Sequence, residues 1–183
     1  MANATPREHD MTNPSETGYA TLIIPVYNQP RHTTECLAAL AEHTAGEIEI
    51  LIVDNGSSEE TRLVFDEAQN GHARFHVLRN ETNLGFTLAA NQGLRAAREE
   101  YLVLLNNDVV VTAGWLEGLI HMAESDESIG IVGPNIVNAN TWRLQGIGGL
   151  QSIKQGARAL RADAPGLNTI GGSQFHGTSQ PVR

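Results

Sequence analysis

Apolar residues in this chain fall into short runs at near-regular intervals, and each run breaks into a polar, turn-forming loop. Residues 20–24, 48–53, 75–78 and 101–105 are such runs. Their length, their β-branched content and the turn formers at their ends predict strands. The runs show little polar alternation, which predicts strands buried on both faces, as in a parallel sheet. Between them the spacing turns helical. Leu37, Leu40 and Ala41 share one face behind a cap at Thr33 or Thr34, with Gly46 closing the segment. Leu63, Val64 and Ala68 follow Ser57 and Glu60, which have capping-box spacing. A further helix is predicted from about Phe86 to Arg98. Another carries Trp115, Leu116, Leu119, Ile120 and Ala123 behind Thr112. Residues 129–134 predict a fifth strand and residues 153–161 one more helix. Strand and helix therefore alternate, which predicts right-handed βαβ units around a parallel sheet: an α/β protein.

Three loops leave predicted strands at one sheet edge: residues 25–29, 54–57 and 106–108. In open α/β sheets ligands bind at the carboxyl ends of the strands. The run Tyr101-Leu102-Val103-Leu104-Leu105 ends directly in Asn106-Asn107-Asp108. One aspartate flanked by carboxamides suits a magnesium-type site completed by substrate phosphates; it does not suit an all-protein cage. Asp54-Asn55-Gly56-Ser57 reads either as a tight turn leading into a cap or as a polar exit that accepts hydrogen bonds from a base or ribose. No Gly-x-Gly-x-x-Gly follows the first strand, and no Walker motif or Gly-x-Ser-x-Gly elbow is present. These absences disfavour a dinucleotide oxidoreductase, a P-loop enzyme and an α/β-hydrolase. The seven histidines have no zinc-motif spacing.

Composition narrows the picture further. The chain has 183 residues and a net charge of −9, which argues against a nucleic-acid binder. Residues 1–130 hold 7 basic and 20 acidic side chains; residues 131–183 hold 5 basic ones and the single acid Asp163. A lone cysteine, Cys36, fits a reducing compartment, and no apolar run has the length of a transmembrane segment. The expectation is a cytoplasmic protein, with peripheral membrane association as the variant. Residues 1–18 are expected to be a disordered tail, 19–137 the ligand-binding α/β domain, and 138–183 a glycine-rich partial region or tail.

Four pieces, in order, carry a resemblance. They are Ile23-Ile24-Pro25-Val26-Tyr27-Asn28, Ile52-Val53-Asp54-Asn55-Gly56-Ser57-Ser58, Arg79-Asn80-Glu81 with Asn83-Leu84-Gly85-Phe86, and Leu104-Leu105-Asn106-Asn107-Asp108. Together they resemble the family 2 glycosyltransferases over about residues 20–134. The resemblance implies the GT-A fold, a Rossmann-like αβα sandwich with a mainly parallel central sheet. It also implies a nucleotide-diphosphate sugar donor, a Mg2+ or Mn2+ ion, and inverting transfer to a hydroxyl of a glycan, lipid or protein acceptor, as in cell-wall or polysaccharide biosynthesis. By the same carry-over, Pro25, Tyr27 and Asn28 line the base and ribose pocket and Asp54 contacts the base. Asn83, Gly85 and Asn91 complete the donor site. Asn106, Asn107 and Asp108 stand where the family has its Asp-x-Asp motif, with Asp108 as the metal ligand. Asn106 in the first position resembles the rhamnosyltransferase-like branch. The family's catalytic base lies beyond this motif. After Glu127 the only carboxylate is Asp163, which matches no base motif, so the catalytic residue is unassigned. The acceptor half is therefore expected to be incomplete, with an oligomer or partner subunit as one remedy. The alternative function is a non-catalytic or truncated nucleotide-sugar-binding fragment.

Overall fold

The computed structural model describes residues 20–71 and 74–137, with the backbone of two further strands at 144–146 and 158–161. In chain order, β1 (Ala20–Val26) leads to α1 (Pro30–His43), β2 (Ile48–Asp54), α2 (Glu59–Gly71) and β3 (Phe75–Arg79). Then come α3 (Phe86–Ala96), β4 (Tyr101–Leu104), α4 (Trp115–Glu124), β5 (Ile131–Val132), β6 (Ile136–Val137), β7 (Leu144–Gly146) and β8 (Arg158–Arg161). The main sheet runs β3-β2-β1-β4-β8-β5; β6 and β7 pair separately. The pairings among β3, β2, β1 and β4 are parallel, and β8 is antiparallel to both its neighbours.

This order fixes which face each of the first three helices covers. The chain steps one way from β1 to β2 to β3, then reverses to place β4 on the far side of β1. Right-handed crossovers therefore put α1 and α2 on one face and α3 on the other. The core divides accordingly. Leu22, Ile24, Ile50, Ile52, Tyr101 and Val103 meet Leu40 of α1, Phe65 of α2, and Leu116 and Leu119 of α4. Ile23, Leu51, Val53 and Leu102 on the opposite side of the same strands meet Ala89 of α3. Buried on both faces, β1, β2 and β4 have almost no solvent side, which is why their sequences do not alternate.

Helix α3 lies unusually close to the sheet because Gly93 faces it. A Cβ at that position would sit 2.2 Å from Ile23 Cγ2 and 3.1 Å from Val53 Cγ2. Ile23 and Val53 are fully buried and cannot swing away. Gly93→Ala is therefore expected to destabilise the protein by about 1–3 kcal/mol despite alanine's better helix propensity. Urea unfolding checks this, and a variant as stable as the parent would refute the close approach.

Several local expectations are corrected. Helix α1 starts at Pro30, earlier than a cap at Thr33 or Thr34 allows, and its N-cap is Gln29. Proline suits this first position because its missing N–H has no helical partner there. The buried stripe of α1 is Thr33, Cys36, Ala39 and Leu40, and Ala41 is exposed. On α2 the buried residues are Thr61 and Phe65, while Leu63 is exposed. The Ser57–Glu60 capping box is not formed, since α2 begins at Glu59 and the Ser57 hydroxyl accepts from the Asn28 amide instead. Gly114, not Thr112, is the N-cap of α4. The strand expected over 129–134 shrinks to β5, and β8 separates it from β4. Residues 158–161, expected in a helix, form β8, so part of the 138–183 segment belongs to the central sheet. Residues 153–157 of that expected helix, residues 1–18, Asp163 and His176 lie outside the described residues.

Candidate functional site

The reversal of strand order lies between β1 and β4, and in open α/β sheets the crevice at such a switch point is where ligands bind. The exits of β1 and β4 flank it, with the exit of β2 alongside.

At the β1 exit the chain turns through two non-glycine residues with positive φ, Asn28 (58°) and Gln29 (63°). Each such residue costs on the order of 1 kcal/mol or more, so the surroundings must hold the turn. Asn28 is held from both ends. Its amide donates to Ser57 Oγ at 2.9 Å, and its Oδ1 accepts from the Ser58 amide at 2.9 Å. The β1 and β2 exits are thereby pinned together. Tyr27 is 49% exposed at this exit, whereas Pro25 is buried inside β1 opposite Val53.

Asp54 closes β2 and is fully buried. Its Oδ1 accepts from the Ser57 amide at 2.8 Å, which forms the turn. Its Oδ2 accepts from Arg79 Nε at 3.0 Å, with Arg62 Nε at 3.6 Å. The turn reading therefore holds, and the second carboxylate oxygen, which the other reading left for a base or ribose, is engaged by Arg79. Gly56 adopts φ +82°, and a Cβ there would lie 2.8 Å from the Thr82 carbonyl carbon, so the 80–85 loop rests directly on it.

That loop is held by carboxamides. Asn55 Nδ2 donates to Asn83 Oδ1 at 2.7 Å, and Asn55 Oδ1 accepts from the Leu84 amide at 3.0 Å and from Asn80 Nδ2 at 3.1 Å. Asn80 and Gln92 exchange two bonds of 2.8 and 2.9 Å, which tie the loop to α3. Asn83 Oδ1 also accepts from the Gly85 amide at 2.8 Å. Gly85, at φ 85°, is the N-cap of α3. Asn83 and Gly85 are exposed, and Asn91 is buried on α3.

At the β4 exit Asn106 and Asp108 are exposed and Asn107 is half-buried. The Leu105 amide donates to the Ile23 carbonyl at 2.9 Å, which extends the β1–β4 pairing to the brink of the loop. Asn107 Nδ2 donates to Thr33 Oγ1 at 3.0 Å, so this carboxamide faces α1. Behind the loop Cys36 Sγ lies 3.8 Å from the Asn106 carbonyl. Burial, aided by the charge of Asp108, pushes the Cys36 thiol up to about 12, so it stays protonated and is no nucleophile. Among the described residues no group of three or more His, Cys, Asp or Glu converges to cage a metal. A single exposed carboxylate beside the exposed Asn106, at the sheet edge, is an oxygen donor set that leaves most positions open. It fits Mg2+ or Mn2+ completed by phosphate and water.

The structure thus brings Tyr27, Asn28, Asp54, Asn83, Gly85, Asn106, Asn107 and Asp108 to one sheet edge. Pro25 and Asn91 are buried, in β1 and α3. The sequence reading missed Arg79, Asn55, Ser57, Asn80, Gln92 and Thr33 as parts of this construction. A signal existed for Arg79: it lies opposite Asp54 in the parallel register, so both side chains leave the same face.

The pattern that defines glycosyl transferase family 2 matches residues 21–174, most of the chain. The chain belongs to this family. Its fold is the GT-A type. Among its relatives, the Streptococcus pneumoniae glycosyltransferase GlyG is 27% identical over 112 residues, covering 61% of this chain and 37% of the relative. The glycosyltransferase EpsJ of Bacillus subtilis is 30% identical over 112 residues, 61% of this chain and 32% of EpsJ. The chain therefore spans about a third of the length of these relatives. In three dimensions it resembles the mannosyltransferase PcManGT of Pyrobaculum calidifontis, solved with GDP-Man and Mn2+. The TM-score is 0.62 at 21% identity, covering 71% of this chain and 39% of that one. It also resembles S. aureus TarS 1-349, solved with UDP-GlcNAc, with a TM-score of 0.56 at 21% identity, covering 67% and 41%. These likenesses are ones of fold. No helix among the described residues is long and apolar enough to cross a membrane.

Proposed function

We propose that this glycosyltransferase binds a nucleotide-diphosphate sugar through a divalent cation held by Asp108 and transfers the sugar, with inversion, to an acceptor hydroxyl. The observation that carries the reading is the exposed Asp108 at the carboxyl end of β4, beside the switch point and the pinned exits of β1 and β2. Tyr27 and Asn28 line the base and ribose pocket, with Pro25 behind them. Asp54 underlies its base end, where Arg79 is half exposed. Asn83, Gly85 and Asn91 form the wall across from Asp108, and Asn106 and Asn107 serve the diphosphate once the cation holds it. The cation, Mg2+ or Mn2+, neutralises the charge that develops on the diphosphate as the glycosidic bond breaks. Asn106 in place of a first aspartate supports the rhamnosyltransferase-like branch. Two fold relatives were solved with nucleotide sugars, GDP-Man and UDP-GlcNAc, and the first also with Mn2+, which supports the same ligand class here.

A thermal-shift screen of UDP, GDP and dTDP with Mn2+ or with EDTA tests this. A ligand at about 100 times its Kd adds roughly 2.7 kcal/mol of apparent stability, so the right nucleotide raises Tm by several degrees only when Mn2+ is present. Equal melting in every well would refute the donor site. Cation-dependent binding without turnover or donor hydrolysis, against a panel of simple acceptors, would select the non-catalytic donor-binding alternative.

A further inference from the structure

The pocket is assembled from loops on separate strands, and one buried hydroxyl joins two of them. Thr33 lies in the first turn of α1 and is 1% exposed. Its Oγ1 donates to the Gln29 carbonyl at 3.0 Å and accepts from Asn107 Nδ2 at 3.0 Å. The donated bond is ordinary for a threonine in a helix. The accepted bond spans 74 positions in sequence and reaches the loop that carries Asp108. The two loops so joined hold opposite parts of the donor. Gln29 belongs to the left-handed turn beside Tyr27 and Asn28, and Asn107 adjoins the cation ligand.

We propose that Thr33 is a positioning residue that fixes the Asp108 loop at a set distance from the nucleotide end of the pocket; this rests on the donor-binding reading above. A diphosphate bridged by a cation must meet both ends at once, so the geometry between them governs affinity only when the cation is bound. Thr33→Val keeps the shape and removes the hydroxyl. It leaves the Asn107 amide without its acceptor and lets the 106–108 loop drift. Nucleotide binding without the cation uses only the β1, β2 and α3 side, and should not sense the change.

The test is calorimetry on the full chain and on its Thr33→Val and Thr33→Ser variants, with GDP and separately with UDP, each in Mn2+ and in EDTA. Thr33→Val is expected to weaken Mn2+-supported binding by about 5- to 10-fold, the worth of one good hydrogen bond, with binding in EDTA unchanged. Thr33→Ser, which keeps donor and acceptor, should stay within about twofold of the parent. Without any ligand, the Asn107 side-chain amide protons should exchange slowly in the parent and the serine variant and quickly in the valine variant. The proposal is overturned by equal losses with and without Mn2+, by no loss, by failure of serine to rescue, or by an Asn107 amide indifferent to Thr33. Should Thr33→Val not fold, Thr33→Ala removes the same hydroxyl and must give the same Mn2+-specific loss. A parent chain whose nucleotide affinity ignores Mn2+ would instead refute the donor-binding reading itself, and this role with it.

Discussion

Asp108→Ala is expected to abolish the Mn2+-dependent gain in nucleotide affinity while leaving the fold intact. The side chain stands exposed at the end of β4, and its removal opens no cavity. A change of this kind at the surface shifts stability by no more than about 0.5 kcal/mol. Its effect on the ligand is much larger. With one carboxylate in the donor set, its loss removes the site's only charged ligand, and no cluster of three or more His, Cys, Asp or Glu among the described residues offers another site. Loss of a metal's stabilisation of phosphate charge amounts to several kcal/mol, so Mn2+-supported affinity should fall by about 100-fold or more. In EDTA the parent and the variant should titrate alike. Calorimetry on the two proteins decides it, and an undiminished Mn2+ effect would mean the cation is held elsewhere.

Asp54→Ala should damage the protein in the opposite sense, through its framework first. The carboxylate is wholly buried and satisfies the Ser57 amide and Arg79, with Arg62 close by. Removing it strands a buried amide and two guanidinium groups facing one another. Arg79 and Arg62 are 45% and 37% exposed, so water relieves part of the penalty. A loss of about 2–4 kcal/mol is expected, below the full cost of orphaning a buried charge. Tm should drop by roughly 5–12 °C. Asp54→Asn keeps an acceptor for Ser57 but removes the charge that holds Arg79, and should fall between parent and alanine. Because Ser57 in turn holds Asn28, nucleotide affinity should weaken with and without Mn2+, unlike the Asp108 variant. Denaturant unfolding with matched titrations separates the two. An Asp54→Ala protein of parental stability would show that these contacts are dispensable.

The strands were legible because burial on both faces leaves an unbroken apolar run, as in Leu22-Ile23-Ile24 and Ile50-Leu51-Ile52-Val53. Strand β8 was not. Its sequence, Arg158-Ala159-Leu160-Arg161, is made of good helix formers, and only the space between β4 and β5 makes it extended. On α1 and α2 the expected faces hold at Leu37, Leu40 and Ala68 but fail at the exposed Ala41 and Leu63, and the buried stripes include Thr33 and Thr61, which hydropathy alone does not mark as core. At the site, the loops could be read from the sequence but the bonds between them could not. Asn28 with Ser58, Arg79 with Asp54 and Asn107 with Thr33 meet across 30, 25 and 74 positions. Which side chains face each other there depends on strand order and register, and these emerge only when the sheet is assembled.

The place of β8 in the sheet has a consequence for biosynthesis. It seals the flank of β4 that β1 does not cover, and it lies far along the chain. As the polypeptide leaves the ribosome, β1 to β4 are complete well before residue 161 emerges. During that interval β4, with Asp108 at its tip, shows a row of unpaired amides and carbonyls on which another nascent copy could add a strand. The pace of translation through the intervening segment therefore sets how long β4 stays open to wrong partners.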